Sequence, residues 1–139
     1  MKPSAYVFFI LSLLICGFSA AFPSADSETK EFDAKNIKAV EVTNNSGSIH
    51  VIGSDSDKAS LLIEKIKAPE SCSVNAVQKE STLTVKVEKS TSSLSGCEIN
   101  LTLNVPKNIN LKIINGSGDI VIRDTKGDLD YTLGNGDIR

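Results

Sequence analysis

A chain of 139 residues has room for one domain, and 40% hydrophobic against 23% charged residues marks it as globular rather than disordered. With Lys+Arg at 15 and Asp+Glu at 17, the formal net charge of -2 excludes the broad positive field that nucleic-acid binding requires. Aromatic residues make up 5%, Trp is absent and His occurs once, which leaves little for stacking platforms or histidine-based acid–base sites.

Met1 and Lys2 give a charged start, residues 6–15 (YVFFILSLLI) form a short apolar run, and Ser19, Ala20 and Ala21 follow. This is the pattern of a secretory signal helix over 1–21, cleaved after Ala21, and it is too short for the roughly 20 apolar residues of a membrane span. The mature chain is therefore expected to be exported to periplasm, cell surface or medium, with no transmembrane segment. A rival reading takes Leu13, Leu14, Ile15 and Cys16 as a lipoprotein box with Cys16 lipidated, although Ile15 stands where Gly, Ala or Ser is usual.

Cleavage removes Cys16 and leaves Cys72 and Cys97, an even pair in a chain bound for an oxidising compartment, so a disulfide is the favoured reading. The alternatives are metal ligation, for which His50 is a distant and single companion, and a catalytic thiol, which needs a nearby base.

Residues 22–36 are polar and without period and read as a mobile leader to a domain over 37–139. From Ile37 onward, short runs rich in Val, Ile, Leu and Thr alternate with Gly, Asn, Ser, Asp and Pro, and no helical period is sustained. Strands are predicted over 39–43, 48–52, 60–67, 73–78, 82–88, 98–105, 109–113, 119–123 and 128–133. The cleanest alternation places Leu83, Val85 and Val87, then Ile99, Leu101, Leu103 and Val105, on buried faces. A polar stretch, 90–96, lies directly before Cys97, where a bond to Cys72 would tie it down.

Gly118-Asp119-Ile120, Gly127-Asp128-Leu129 and Gly136-Asp137-Ile138 recur every nine residues, with Gly47-Ser48-Ile49 as an earlier echo. A fixed short period suggests stacked units, two of which would form one coil of a β-solenoid with Ile120, Leu129 and Ile138 as equivalent core positions.

These residues carry a resemblance. Val105-Pro106-Lys107, Gly118-Asp119-Ile120-Val121-Ile122 and the later Gly-Asp units, with Gly47-Ser48-Ile49-His50-Val51 upstream, resemble the bacterial "putative adhesin" family of unknown function, related to the head domain of autotransporter adhesins. The resemblance covers roughly residue 37 to the end. It implies a right-handed parallel β-helix or solenoid-like fold with short rungs at the cell envelope, a binding or scaffolding role, and as partner a surface polymer or envelope protein. Family members continue through more Gly-Asp rungs, so the domain is expected to be incomplete after Arg139, with an open C-terminal edge available for self-association.

Catalysis is not expected, nor is a cofactor. Asp119 and Asp137 would sit on adjacent rungs, which raises weak divalent-cation binding as a minor alternative to their role as turn residues. A β-helix carbohydrate-active enzyme is the rival function, but it calls for paired acids with aromatic platforms, and the exported part has Tyr131 as its tyrosine. A lipid-anchored structural envelope protein is a second rival. Asn44-Asn45-Ser46, Asn100-Leu101-Thr102 and Asn115-Gly116-Ser117 match the N-glycosylation triplet but read as turn and strand residues. No nucleophile elbow, zinc-protease helix or phosphate loop is present in the sequence.

Overall fold

The computed structural model describes residues 27–68, 71–89 and 96–139. Ten strands follow in order: β1 (Ser27–Asp33), β2 (Ala39–Ser46), β3 (Ile49–Ser54), β4 (Lys58–Lys67), β5 (Cys72–Lys79), β6 (Thr82–Lys89), β7 (Glu98–Pro106), β8 (Asn110–Ser117), β9 (Ile120–Arg123) and β10 (Leu129–Asn135). The one helical element among the described residues is a three-residue 3-10 turn, Ala34–Asn36, capped by Asp33. The predicted signal helix and Cys16 lie outside the described residues.

The strands form two five-stranded sheets, sheet I in the order β1-β4-β7-β3-β9 and sheet II in the order β10-β8-β2-β6-β5. Alternation explains the layering. In β7, Ile99, Leu101, Leu103 and Val105 are buried while Asn100, Thr102 and Asn104 face outward, and Val40, Val42, Leu83, Val85, Leu111 and Ile113 close the core from the other sheet. Each fully buried Leu or Ile in this layer stabilises the fold by about 1.5–3 kcal/mol.

Both sheets are mixed. β3 pairs in parallel with β7 and β9, and β2 with β6 and β8, but β1–β4, β4–β7 and β5–β6 are antiparallel. This overturns the right-handed parallel β-helix reading, which requires every rung to run the same way. The cause is local. A tight turn at Glu80-Ser81, with Glu80 at φ 55°, folds β5 back on β6, and β4 enters sheet I beyond β7 instead of beside β3. A Gly- or Asp-rich turn signal marks where the chain reverses but does not say which sheet the next strand joins.

Within the stretch expected to be a mobile leader, residues 27–33 form β1 on the edge of sheet I, paired with β4 from Ser27↔Glu64 to Asp33↔Lys58. Phe32 packs against the core from this strand. One apolar residue among charges is too weak a periodic signal to reveal an edge strand.

The Gly-Asp triplets are not equivalent. Gly118 and Gly136, with φ 119° and 132°, make the same crossing from sheet II to sheet I that Gly47 makes after β2, whereas Gly127 sits at the entry to β10 beside the Ile109 carbonyl. Ile120 is wholly buried and pairs with Ile138, which packs partly on the core, but Leu129 is 44% exposed. The expected trio of equivalent core residues therefore fails at Leu129. Ile120→Asp should cost several kcal/mol because a carboxylate enters the core unpaired, while Leu129→Asp, on the outermost strand, should cost less than about 1 kcal/mol. Thermal melts of the two variants check this; equal losses would contradict the burial difference.

Candidate functional site

Cys72, at the start of β5 on sheet II, is bonded to Cys97, just before β7 on sheet I, with a Cα–Cα distance of 6.0 Å. The pair is buried and clamps one sheet to the other. Its place in the core gives it a structural role.

At the crossing turns, backbone and side chains form a ladder. Gly47 N–H donates to the Ser117 carbonyl and Gly118 N–H to the Asn135 carbonyl, both at 2.9 Å. Beneath them two asparagines are buried: Asn44 donates through Nδ2 to the Ile99 carbonyl at 2.8 Å, and Asn115 donates to the Gly47 carbonyl at 2.9 Å. Asn115 Oδ1 has no hydrogen-bond partner. Sequence reasoning missed this pair, although the shared pattern Asn-x-Ser-Gly-x-Ile at 44–49 and 115–120 was available to find it. In β10 the corresponding position is Leu133, paired with Asn115, so the series of amides stops there.

The Asp119 carboxylate is engaged at both oxygens. Asp119 Oδ1 accepts from Asp137 N–H at 3.1 Å, and Asp119 Oδ2 lies 3.2 Å from Arg139 Nη2. Asn110 Oδ1 plays the same part for Asp128 N–H at 3.1 Å. Asp119 and Asp137 are thus brought together, as a turn cap and the turn it caps, and among the described residues no group of three or more His, Cys, Asp or Glu side chains could hold a metal ion. At the opposite end of the strands Lys107 Nζ donates to Asp55 Oδ2 at 2.9 Å, and this hydrogen bond and charge raise the Lys107 pKa above its ordinary value.

The two outer faces differ in character. On sheet II, Thr84, Glu41, Lys112 and Asp130 form one cross-strand row, followed by Lys86, Thr43, Ile114 and Thr132, so charges of both signs alternate in solvent. On sheet I, the central row is Thr29, Leu62, Thr102, His50 and Val121, flanked by Ser60, Asn104 and Ile52. Asn104 Nδ2 donates to Ser60 Oγ at 3.1 Å, and Asn100 Oδ1 accepts from Ser48 N–H at 2.9 Å. Most of these side chains are half-buried, giving a level centre of amides, hydroxyls and short aliphatics, with Glu31, Glu64 and Arg123 at its margins on the same face. A shallow open depression of about 250 Å³ lies within it, lined by Ser48, His50, Glu64, Asn100, Leu101 and Thr102. A larger open groove of about 390 Å³ at the β1 end is lined by Glu31, Phe32, Asp33, Lys35, Asp57 and Lys58.

Thr82, Thr84, Lys86 and Glu88 on the one hand and Asn100 and Thr102 on the other do not share a face: β6 belongs to sheet II and β7 to sheet I. His50 is exposed in the middle of the sheet I surface, between Thr102 and Val121.

No family model matches the sequence, and no curated protein matches it. Solved structures do. The chain is similar to a "putative cell adhesion protein" from Clostridium sporogenes, with 12% identity and a TM-score of 0.51 over 79% of this chain and 57% of that one. It is also similar to a "putative adhesin" from Bacteroides fragilis, with 19% identity and a TM-score of 0.49 over 84% and 62%. A "putative lipid binding protein" from Parabacteroides distasonis matches at 12% identity and a TM-score of 0.44 over 83% and 63%. The chain spans less than two thirds of the length of each of these three. At such identities the likeness is one of fold. Among the described residues no helix is long and apolar enough to cross a membrane.

Proposed function

We propose that this chain is an exported, adhesin-like domain that binds a surface polymer or an envelope protein and catalyses nothing. The outer face of sheet I is its contact surface. The single observation that carries this reading is the chemistry of that face: half-buried Thr, Asn, Ser and short aliphatic side chains around His50, level enough for broad contact, with the charges of Glu31, Glu64 and Arg123 at the margins. The alternating charges of sheet II would each have to be stripped of water, which makes that side the poorer binder. Likeness of fold to a protein described as a putative cell adhesion protein supports the same reading. A shallow face without a deep pocket favours weak single contacts multiplied by many copies.

The test compares disulfide-bonded domain clustered on beads with the monomer for binding to envelope or host-surface material. Clustering should raise retention by about 10²-fold or more. Thr102→Lys, on sheet I, should abolish it, and Lys86→Glu, on sheet II, should leave it intact. Loss with Lys86→Glu alone would move the contact surface to the other sheet. Turnover of a polysaccharide by the monomer, abolished by Asp119→Asn, would place the protein among enzymes.

A further inference from the structure

Part of the sheet I face is hollow, and its polar groups are unused by the protein. The depression of about 250 Å³ lies on β4, β7 and β3. β4 is paired with β1 and β7, β7 with β4 and β3, and β3 with β7 and β9, so no wall of the depression belongs to a sheet edge. β7 runs through its middle. Asn100 is opposite Glu64 and accepts the Ser48 N–H on Oδ1 at 2.9 Å, while Thr102 stands between Leu62 and His50. Glu64 and His50 therefore lie on opposite sides of β7, two strand spacings or about 10 Å apart across the sheet. Further along the same face Asn104 and Ser60 satisfy one another. Around the depression, by contrast, the half-buried Glu64 carboxylate has no ion pair among the described residues. With Oδ1 of Asn100 committed to Ser48, its Nδ2 remains as a donor beside the Ser48 and Thr102 hydroxyls.

We infer that the depression takes one ring of a neutral sugar, the unit by which the sheet I face holds a glycan polymer; this rests on the reading of that face as the contact surface. A sugar ring presents adjacent hydroxyls, each a donor and an acceptor at once. The depression offers the complement: a carboxylate on one rim that accepts from two neighbouring hydroxyls, and the Asn100 amide with the Ser48 and Thr102 hydroxyls on the floor. His50 closes the opposite rim with a flat ring whose apolar body can rest on sugar C–H groups. The size agrees, because about 250 Å³ is less than the roughly 300–1,000 Å³ of pockets for drug-sized ligands and suits a single ring. Charge narrows the class further. An acidic sugar or a phosphate-bearing polymer would set a second negative charge beside Glu64, and an apolar ligand would strip that carboxylate of water with nothing in return. An open depression without Trp or Tyr gives weak affinity for each ring, so retention comes from repetition along the polymer and among copies of the domain.

The experiment follows the backbone amide resonances of the full, disulfide-bonded chain during titration with the methyl glycosides of glucose, galactose and mannose, which between them present cis and trans pairs of adjacent hydroxyls. Glucuronate is the acidic counterpart. At least one glycoside should give saturable shifts confined to residues 48–50, 62–64 and 100–102, and glucuronate should bind about tenfold more weakly or worse. Glu64→Gln keeps the shape but removes the charged acceptor, and should weaken glycoside binding by about tenfold. Glu41→Gln, on the outer face of sheet II, should leave it unchanged. No saturable shift with any of the three glycosides, shifts scattered over both sheets, equal affinity for glucuronate, or indifference to Glu64→Gln would each overturn the proposal. Retention of the clustered domain lost with Thr102→Lys but unchanged with Glu64→Gln would also overturn it, while leaving sheet I as the contact surface. Retention unchanged by either variant would remove that surface and this proposal with it.

Discussion

Replacing Cys72 and Cys97 together by Ala is expected to lower stability by about 3–4 kcal/mol, from the entropy of a loop closed over 25 residues. The bond joins two segments that lie on different sheets, and residues 90–95, between β6 and β7, fall within the closed loop. In its absence the edge strand β5 keeps only its hairpin with β6, while β7 remains held between β4 and β3. Loss should therefore begin at the β5 edge, read as amide-exchange protection falling in β5 and β6 before β7. Denaturant titration of oxidised and reduced protein gives the magnitude, and equal midpoints would show that the disulfide constrains nothing that folding does not already fix.

Gly47→Ala is expected to cost about 3–5 kcal/mol. Gly47 has φ 121°, a region that L side chains rarely adopt, and a Cβ there would be driven into the Ile99 carbonyl of the neighbouring strand. Gly118, at φ 119°, meets the Gly47 carbonyl in the same way, so the crossing turns stack backbone on backbone with no room for a methyl group. That carbonyl also accepts from the buried Asn115, so displacing the turn would strand a second polar group in the core. Gly96→Ala is the control, since a Cβ there meets nothing within 4 Å, and its melting temperature should match wild type. Comparable losses in the two variants would mean that the close approach at Gly47 is relieved at no cost.

The all-β class, the positions of nine of the strands, the inward-facing residues of β6 and β7, and the pairing of Cys72 with Cys97 were all legible in the residues. These are local or combinatorial properties: a period of two, turn residues at the ends, and two cysteines, Cys72 and Cys97, left as an even pair once Cys16 is assigned to an export signal. The arrangement of the strands was not legible there, because it depends on contacts distant in the chain. The Gly-Asp spacing recurs every nine residues, but Gly118 and Gly136 turn the chain between sheets while Gly127 merely begins a strand, and Leu129 stays at the edge where Ile120 is enclosed. Strand direction depends on which neighbour a strand finds after its turn, and for β4 one such neighbour is β7, from which β5 and β6 separate it along the chain. The face proposed for contact was illegible for the same reason. Thr84 and Thr102 have the same alternating surroundings in sequence, yet they point to opposite sides of the sandwich, because β6 pairs into sheet II and β7 into sheet I. Only the sheet that each strand joins separates the exposed face of Thr84 from the level, half-buried one around His50.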